Sequence, residues 1–124
     1  MKRTIVTLCG STQFGDAYRQ ALREETLKGH IVLSVGLLGH EEGIDMNGPV
    51  KAMLDALHLD KIDMSNEILV LNVGGYIGDS TRREIQYARE KGKRIRFLEP
   101  VVDDRGELVT ELAPWATHYR GVKQ

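Results

Sequence analysis

Four short strand-like runs alternate with segments of helical period, and this alternation constrains the fold more than any other feature of the chain. The runs are residues 4–9 (TIVTLC), 30–35, 67–72 and 94–98, the last stopped by Pro100. The first suits a strand buried on both faces. Between them lie three candidate helices. Residues 16–28 place Tyr18, Ala21, Leu22 and Glu25 on one stripe, and Gly29 suits the C-terminal stop. Pro49 suits a first helical turn, with Val50, Met53, Leu54 and Leu57 on one face, continuing through Lys61 and Ile62. Residues 81–91 put Ile85, Ala88 and the arm of Arg89 on one side, closed by Gly92. Alternating strands and helices imply an α/β domain with a parallel sheet and right-handed crossovers. Ligands in such sheets bind at the carboxyl ends of the strands, near a topological switch point. The loops at that edge begin at Gly10, Gly36 and Val73, and they are the most glycine-rich parts of the chain.

The 124 residues fit one domain, and neither repeats nor linkers interrupt them. The tail beyond residue 98 is polar until Leu112-Ala113-Pro114-Trp115, a patch suited to docking on the core or to a subunit contact. A net charge of −1 with no basic block argues against a nucleic-acid partner. No apolar run is long enough to span a membrane. The N-terminus runs straight into a strand-like segment without a signal-peptide core, so the expected compartment is cytoplasmic. Cys9 is the only cysteine. It reads either as a small buried hydrophobe or as a thiol facing a ligand pocket.

The chemistry concentrates in residues 69–85, LVLNVGGYIGDSTRREI. A strand ends at Asn72, a loop carries Gly74, Gly75, Tyr76 and Gly78, and a helix opens at Ser80 and Thr81 with Glu84 in its first turn. Such loops converge backbone N–H groups on anionic or ribose-bearing ligands. Glu84 has a competing role, because Thr81-Arg82-Arg83-Glu84 matches a capping box in which the glutamate folds back onto the cap N–H. The first loop, Gly10-Ser11-Thr12-Gln13-Phe14, offers hydroxyls for capping or ligand contact and a ring for a staple or for stacking on a base. The helix before the glycine loop carries Asp55, His58, Asp60 and Asp63. It runs antiparallel to the strand it feeds, so His58 and Asp60 reach the loop more easily than Asp63, which suits a local bond to Lys61 or a cap. Two carboxylates on one cleft suit displacement at an anomeric carbon. His30, His40, His58 and His118 are scattered without partners at ligand spacing, and His40 with Glu41, Glu42 and Asp45 is only a loose cluster. No metal is expected. The first strand is not followed by G-x-G-x-x-G, so no nicotinamide cofactor is expected either.

The G-S-T turn, the LHLDKID helix and the NVGGYIGDSTRREI loop-helix resemble the nucleoside 2-deoxyribosyltransferase superfamily, including its small nucleotide N-hydrolase members, over about residues 4–98. That resemblance implies a single-domain, doubly wound (flavodoxin/Rossmann-like) parallel sheet flanked by helices. It also implies cleavage or transfer at the N-glycosidic bond of a nucleoside or nucleoside 5′-monophosphate without a cofactor. Glu84 is then the nucleophile on C1′, and Asp60 the assisting acid. The base lies near Gly10, Ser11, Thr12 and Phe14. The sugar or its 5′ group lies near Gly75, Tyr76, Gly78 and Ser80, with His58 and Asn72 beside it. A homodimer or higher homo-oligomer is implied as well. Arg82 and Arg83 depart from the family pattern, and residues 39–48 match none of it. Two alternatives remain at this point. One is a phosphoribohydrolase of the cytokinin-activating type, whose loop is similar but shorter by about two residues and preceded by proline. The other is a non-catalytic nucleotide sensor on the same scaffold.

Overall fold

The computed structural model describes residues 2–45, 47–102, 105–109 and 111–118. The last six residues of the tail, and Met46 in the middle loop, lie outside the described residues. In chain order the elements are β1 (Ile5–Cys9), α1 (Gly15–Leu27), β2 (Ile31–Leu33), α2 (Gly39–Glu42), α3 (Pro49–Asp63), β3 (Glu67–Val70), α4 (Asp79–Glu90), β4 (Arg94–Phe97), β5 (Val101–Val102) and β6 (Leu108–Val109). A 3-10 turn follows β3 at Val73–Gly75, and another, Pro114–His118, follows β6.

Strands β1 to β4 form one parallel sheet in the order β2-β1-β3-β4. This is the doubly wound α/β arrangement, with its switch point between β1 and β3. β5 and β6 form a separate antiparallel pair.

Alternation along the strands sorts the core into two layers. Val6 and Leu8 of β1 and Leu69 of β3 face α1, where they pack with Ala17, Tyr18 and Ala21. Trp115 and Ala113 of the tail close this layer, so the apolar tail patch docks on the core. Cys9, Ile68 and Val70 face the other way, onto Ile62 of α3 and Ile85 and Ala88 of α4. Cys9 therefore points at the two helices that carry the candidate acids.

Two expected stripes are corrected by the packing. On α1, Ala17, Tyr18, Ala21 and Glu25 are buried, while Leu22 is exposed. On α3 only His58 and Ile62 are buried, and Val50, Met53 and Leu57 lie open. The arm of Arg89 is exposed as well. On α3 a polar residue, His58, takes the inward position because it has a partner there, the Leu8 carbonyl.

Glu25 is the clearest example. It is fully buried and accepts Arg96 Nη2 (2.7 Å) and Nη1 (3.1 Å), Trp115 Nε1 (2.7 Å) and His30 Nδ1 (2.8 Å). Arg96 also donates through Nε to Glu67 at 2.7 Å. Burial alone raises the Glu25 pKa, but the bonds from Arg96, Trp115 and His30 outweigh it and bring it down to about 2. This network joins α1, β3, β4 and the tail at the amino end of the sheet.

Candidate active site

A cavity of about 310 Å³ opens at the carboxyl edge, over the β1–β3 switch point. Its walls come from the loop after β1 (Gly10, Ser11, Thr12), from Val35 to Leu37, and from the α3 residues Lys51, Asp55 and His58. The remainder comes from Tyr76 and the start of α4, Gly78 to Thr81, with Glu84 at its base. The size suits a small organic ligand.

The register of α4 decides what Glu84 does. The helix begins at Asp79 with Gly78 at the cap position and no side-chain cap. Thr81 is thus the third helical residue rather than the cap, and Glu84 sits in the second turn. A capping box needs glutamate at the third position, so that reading fails on register. Thr81, Glu84, Ile85 and Ala88 form the buried stripe of α4. The first amides of α4 lack intrahelical partners, and Gly78 to Thr81 line the cavity.

Glu84 is 8% exposed. Desolvation, then the charge of Asp55, push its pKa up to about 7, against smaller downward effects of the Cys9 thiol, Lys51 and Arg83. His58 is buried and donates Nε2–H to the Leu8 carbonyl at 2.9 Å. Burial drives its pKa down to about 4, so the imidazole is neutral near pH 7. Cys9 Sγ lies 3.6 Å from His58 Nε2. Burial and the neighbouring Glu84 hold the thiol protonated, well above its ordinary range. Tyr18 donates its hydroxyl to the Gly10 carbonyl at 2.7 Å under the cavity floor.

Lys51, Asp55 and His58 share one face of α3, at i, i+4 and i+7. Lys51 Nζ bonds Asp55 Oδ1 and, at 2.7 Å, Ser80 Oγ, tying α3 to the start of α4. Arg83 also donates to Ser80 Oγ, at 3.2 Å.

Of the residues expected at the site, Gly10, Ser11, Thr12, His58, Tyr76, Gly78, Ser80 and Glu84 line the cavity. Asp60 does not. It lies two residues beyond His58, about 200° around the helix, and is exposed. Asp55 is the α3 carboxylate on the cavity. Asn72 is fully buried but is used by the backbone: its Oδ1 accepts from Leu98 and Glu99 N–H, and its Nδ2 donates to the Glu99 carbonyl. Gly75 sits in the 3-10 turn at φ 83°, outside the cavity wall. Phe14 packs edge-on against the Tyr76 ring, with centroids 6.0 Å apart, at the rim. Asp63 bonds neither Lys61 nor a cap; its carboxylate accepts the Tyr87 hydroxyl at 2.8 Å, while Lys61 Nζ donates to the Ser34 carbonyl.

The middle loop also reaches the site. His40 Nδ1 and Thr12 Oγ1 are 2.6 Å apart, and Gly36, Leu37 and Gly39 complete the wall. Lys51, Asp55 and Tyr18 were missed as site residues. The i, i+4, i+7 spacing of Lys51, Asp55 and His58 was the available signal for the first two.

Gly10 has a structural demand of its own. At φ 149°, an added Cβ would sit 3.0 Å from the Leu71 carbonyl oxygen. The turn needs glycine to leave β1 beside β3.

No protein-family model matches the chain, and no curated protein matches it either.

Proposed function

We propose that the protein cleaves the N-glycosidic bond of a nucleoside or nucleoside 5′-monophosphate, with Glu84 attacking C1′ of the sugar. One observation carries this reading: the Glu84 carboxylate is buried at the base of the cavity, released from helix capping by the register of α4. The residue resemblance over the glycine loop and α4 supports the same substrate class.

Loss of the base leaves an oxocarbenium-like centre, which an adjacent carboxylate stabilises. A pKa near 7 keeps a substantial anionic fraction at neutral pH. Attack forms a glycosyl ester on Glu84 as the C1′–N bond breaks and the base leaves, taking a proton from solvent. Water then cleaves the ester, its hydroxyl going to C1′ and its proton to solvent, and restores the carboxylate. Asp55, held by Lys51, is the second acid, assigned to orient a sugar hydroxyl in place of Asp60. The free amides at the start of α4, with Lys51 beside them, suit a 5′ phosphate. Ser11 and Thr12, with the Tyr76 ring at the rim, suit the base.

The exposed residues Val50, Met53 and Leu57 flank the cavity and support a homo-oligomer in which a second copy covers this face. Sedimentation showing a monomer at all concentrations would remove that part. Among the described residues no helix is long and apolar enough to cross a membrane; a cytoplasmic place in nucleotide metabolism is part of the proposal.

The test is release of free base, followed by chromatography, from a pool of ribo- and deoxyribonucleosides and their 5′-monophosphates. Glu84→Gln is expected to bind ligand yet lose at least about 10³-fold of the rate. Unchanged base release by Glu84→Gln would overturn the assignment. Measurable binding with no base release by the wild type across the pool would make the protein a sensor.

A further inference from the structure

Cys9 comes from the end of β1, His58 from the middle of α3 and Glu84 from the second turn of α4. All three are buried, and one donor atom of each lies within 4.8 Å of the others. No local spacing announces this trio, because each member arrives from a different element onto the same face of the sheet. A thiol, an imidazole and a carboxylate at such separations are the donor set of a tetrahedral site with one position open. The open side is the cavity, which His58 and Glu84 line.

We propose that Cys9, His58 and Glu84 bind one soft divalent ion of the Zn²⁺ class at the cavity floor, its fourth position facing the cavity. Binding releases the Cys9 thiol proton to solvent and forms the thiolate–metal bond. Ligation through His58 Nε2 moves the imidazole proton to Nδ1 and replaces the bond to the Leu8 carbonyl with the bond to the ion. Ligation draws the negative charge of Glu84 onto the ion and holds its carboxylate there, so the ion acts as an inhibitor. The site goes beyond the glycosidic chemistry proposed above, and its binding is measured without substrate.

The experiment titrates Co²⁺, then Zn²⁺, into reduced, chelator-treated full-length protein free of any histidine tag. The expected result is one Co²⁺ per chain with a thiolate-to-cobalt charge-transfer band in the near ultraviolet, displaced by Zn²⁺. Cys9→Ala should lose the band, and His58→Gln should weaken binding by about tenfold or more. Far-UV circular dichroism checks that both variants fold. Absence of the band in the wild type overturns the proposal without recourse to any variant, as does equal Co²⁺ affinity in a folded Cys9→Ala. If the wild type turns over a nucleotide, Zn²⁺ should suppress it at the occupancy read from the band. Full activity at full occupancy would refute the inhibitory role.

Discussion

Replacing Glu84 with glutamine should stabilise the protein at pH 8 and leave its stability nearly unchanged at pH 4. The carboxyl titrates near 4.5 when unfolded and near 7 when folded. That gap of about 2.5 units corresponds to about 3 kcal/mol at 1.36 kcal/mol per unit. A carboxyl whose folded pKa is raised contributes stability that is fully present below pH 4.5 and is lost as pH rises through 7. The wild type therefore gives up about 3 kcal/mol across that window from this residue alone. Glutamine has nearly the same shape and cannot ionise, so the variant keeps it. His58 titrates in both proteins and drops out of the difference. Urea unfolding at half-unit pH steps reads the gap directly, provided the slope with denaturant is the same for both. In thermal melts it should appear as roughly 10 °C at pH 8, since 1 kcal/mol shifts a domain of this size by about 3–4 °C. A gap that stays flat from pH 4 to pH 8, or a less stable variant at pH 8, would refute the claim that Glu84 is held desolvated beside Asp55. A variant more stable but inactive is the pattern expected where function sets a charge against the fold.

Three further outcomes separate the structural roles. Asp55→Asn should lower base release by about 10²-fold or more in kcat, whereas Asp60→Asn should match the wild type, because only Asp55 faces the cavity. Asn72→Ala removes three bonds to the backbone of Leu98 and Glu99 and should cost about 3 kcal/mol in urea unfolding. Glu25→Ala leaves both terminal nitrogens of buried Arg96 and the Trp115 Nε1–H without this acceptor, with Glu67 still on Arg96 Nε, and should cost about 3 kcal/mol. The wild-type Glu25 carboxyl, held down near pH 2, stabilises above pH 4.5 and loses that contribution as pH falls through 2. The acid limb of the unfolding profile should flatten correspondingly in Glu25→Gln.

Sheet and layers were legible because burial on both faces leaves its mark in continuous apolar runs, which stand at β1 and β3, while β4 alternates arginine with Ile95 and Phe97. The weak points were helix faces and register. Leu22 and Leu57 matched the apolar period yet lie exposed, because period alone does not know that Glu25 meets Arg96 or that His58 meets the Leu8 carbonyl. Thr81 and Glu84 form a capping box in letters, but the cap falls three residues earlier, at the extended Gly78, and α4 starts at Asp79. Glu84 therefore sits a full turn inside the helix, too far from the cap to fold back onto it, and lines the cavity. The superfamily resemblance points to Asp60 as the assisting acid, but Lys51, Asp55 and His58, at i, i+4 and i+7, share the α3 face that meets the cavity. Cys9 carries two readings, buried packing or pocket thiol, and the structure shows the first: it is fully buried in the α3–α4 layer and is not among the residues lining the cavity.

The two most deeply perturbed acids stand at opposite ends of the same sheet, and the contrast between them explains how the site can exist. Glu25 at the amino end is surrounded by donors and ionises far below its ordinary range. Glu84 at the carboxyl end has a neutral imidazole, a protonated thiol and a second carboxylate for neighbours, and it ionises far above. Both are buried in the same small domain, so burial alone does not set the sign; the neighbours do. The strands converge their carbonyl ends on the Glu84 side, and the α4 amino terminus, Lys51 and Arg83 oppose that negative potential without cancelling it. An acid left this short of donors is costly to keep unless something enters the cavity to share its charge. An electron-poor anomeric carbon is one such visitor, and a soft divalent cation is another. Adding donors to Glu84 should therefore quiet both chemistries together: Thr81→Lys, placed to reach the cavity from the same face of α4, should depress the Glu84 titration and reduce base release and Co²⁺ affinity in one step. A variant that lowers one and spares the other would show that the two do not share this carboxylate.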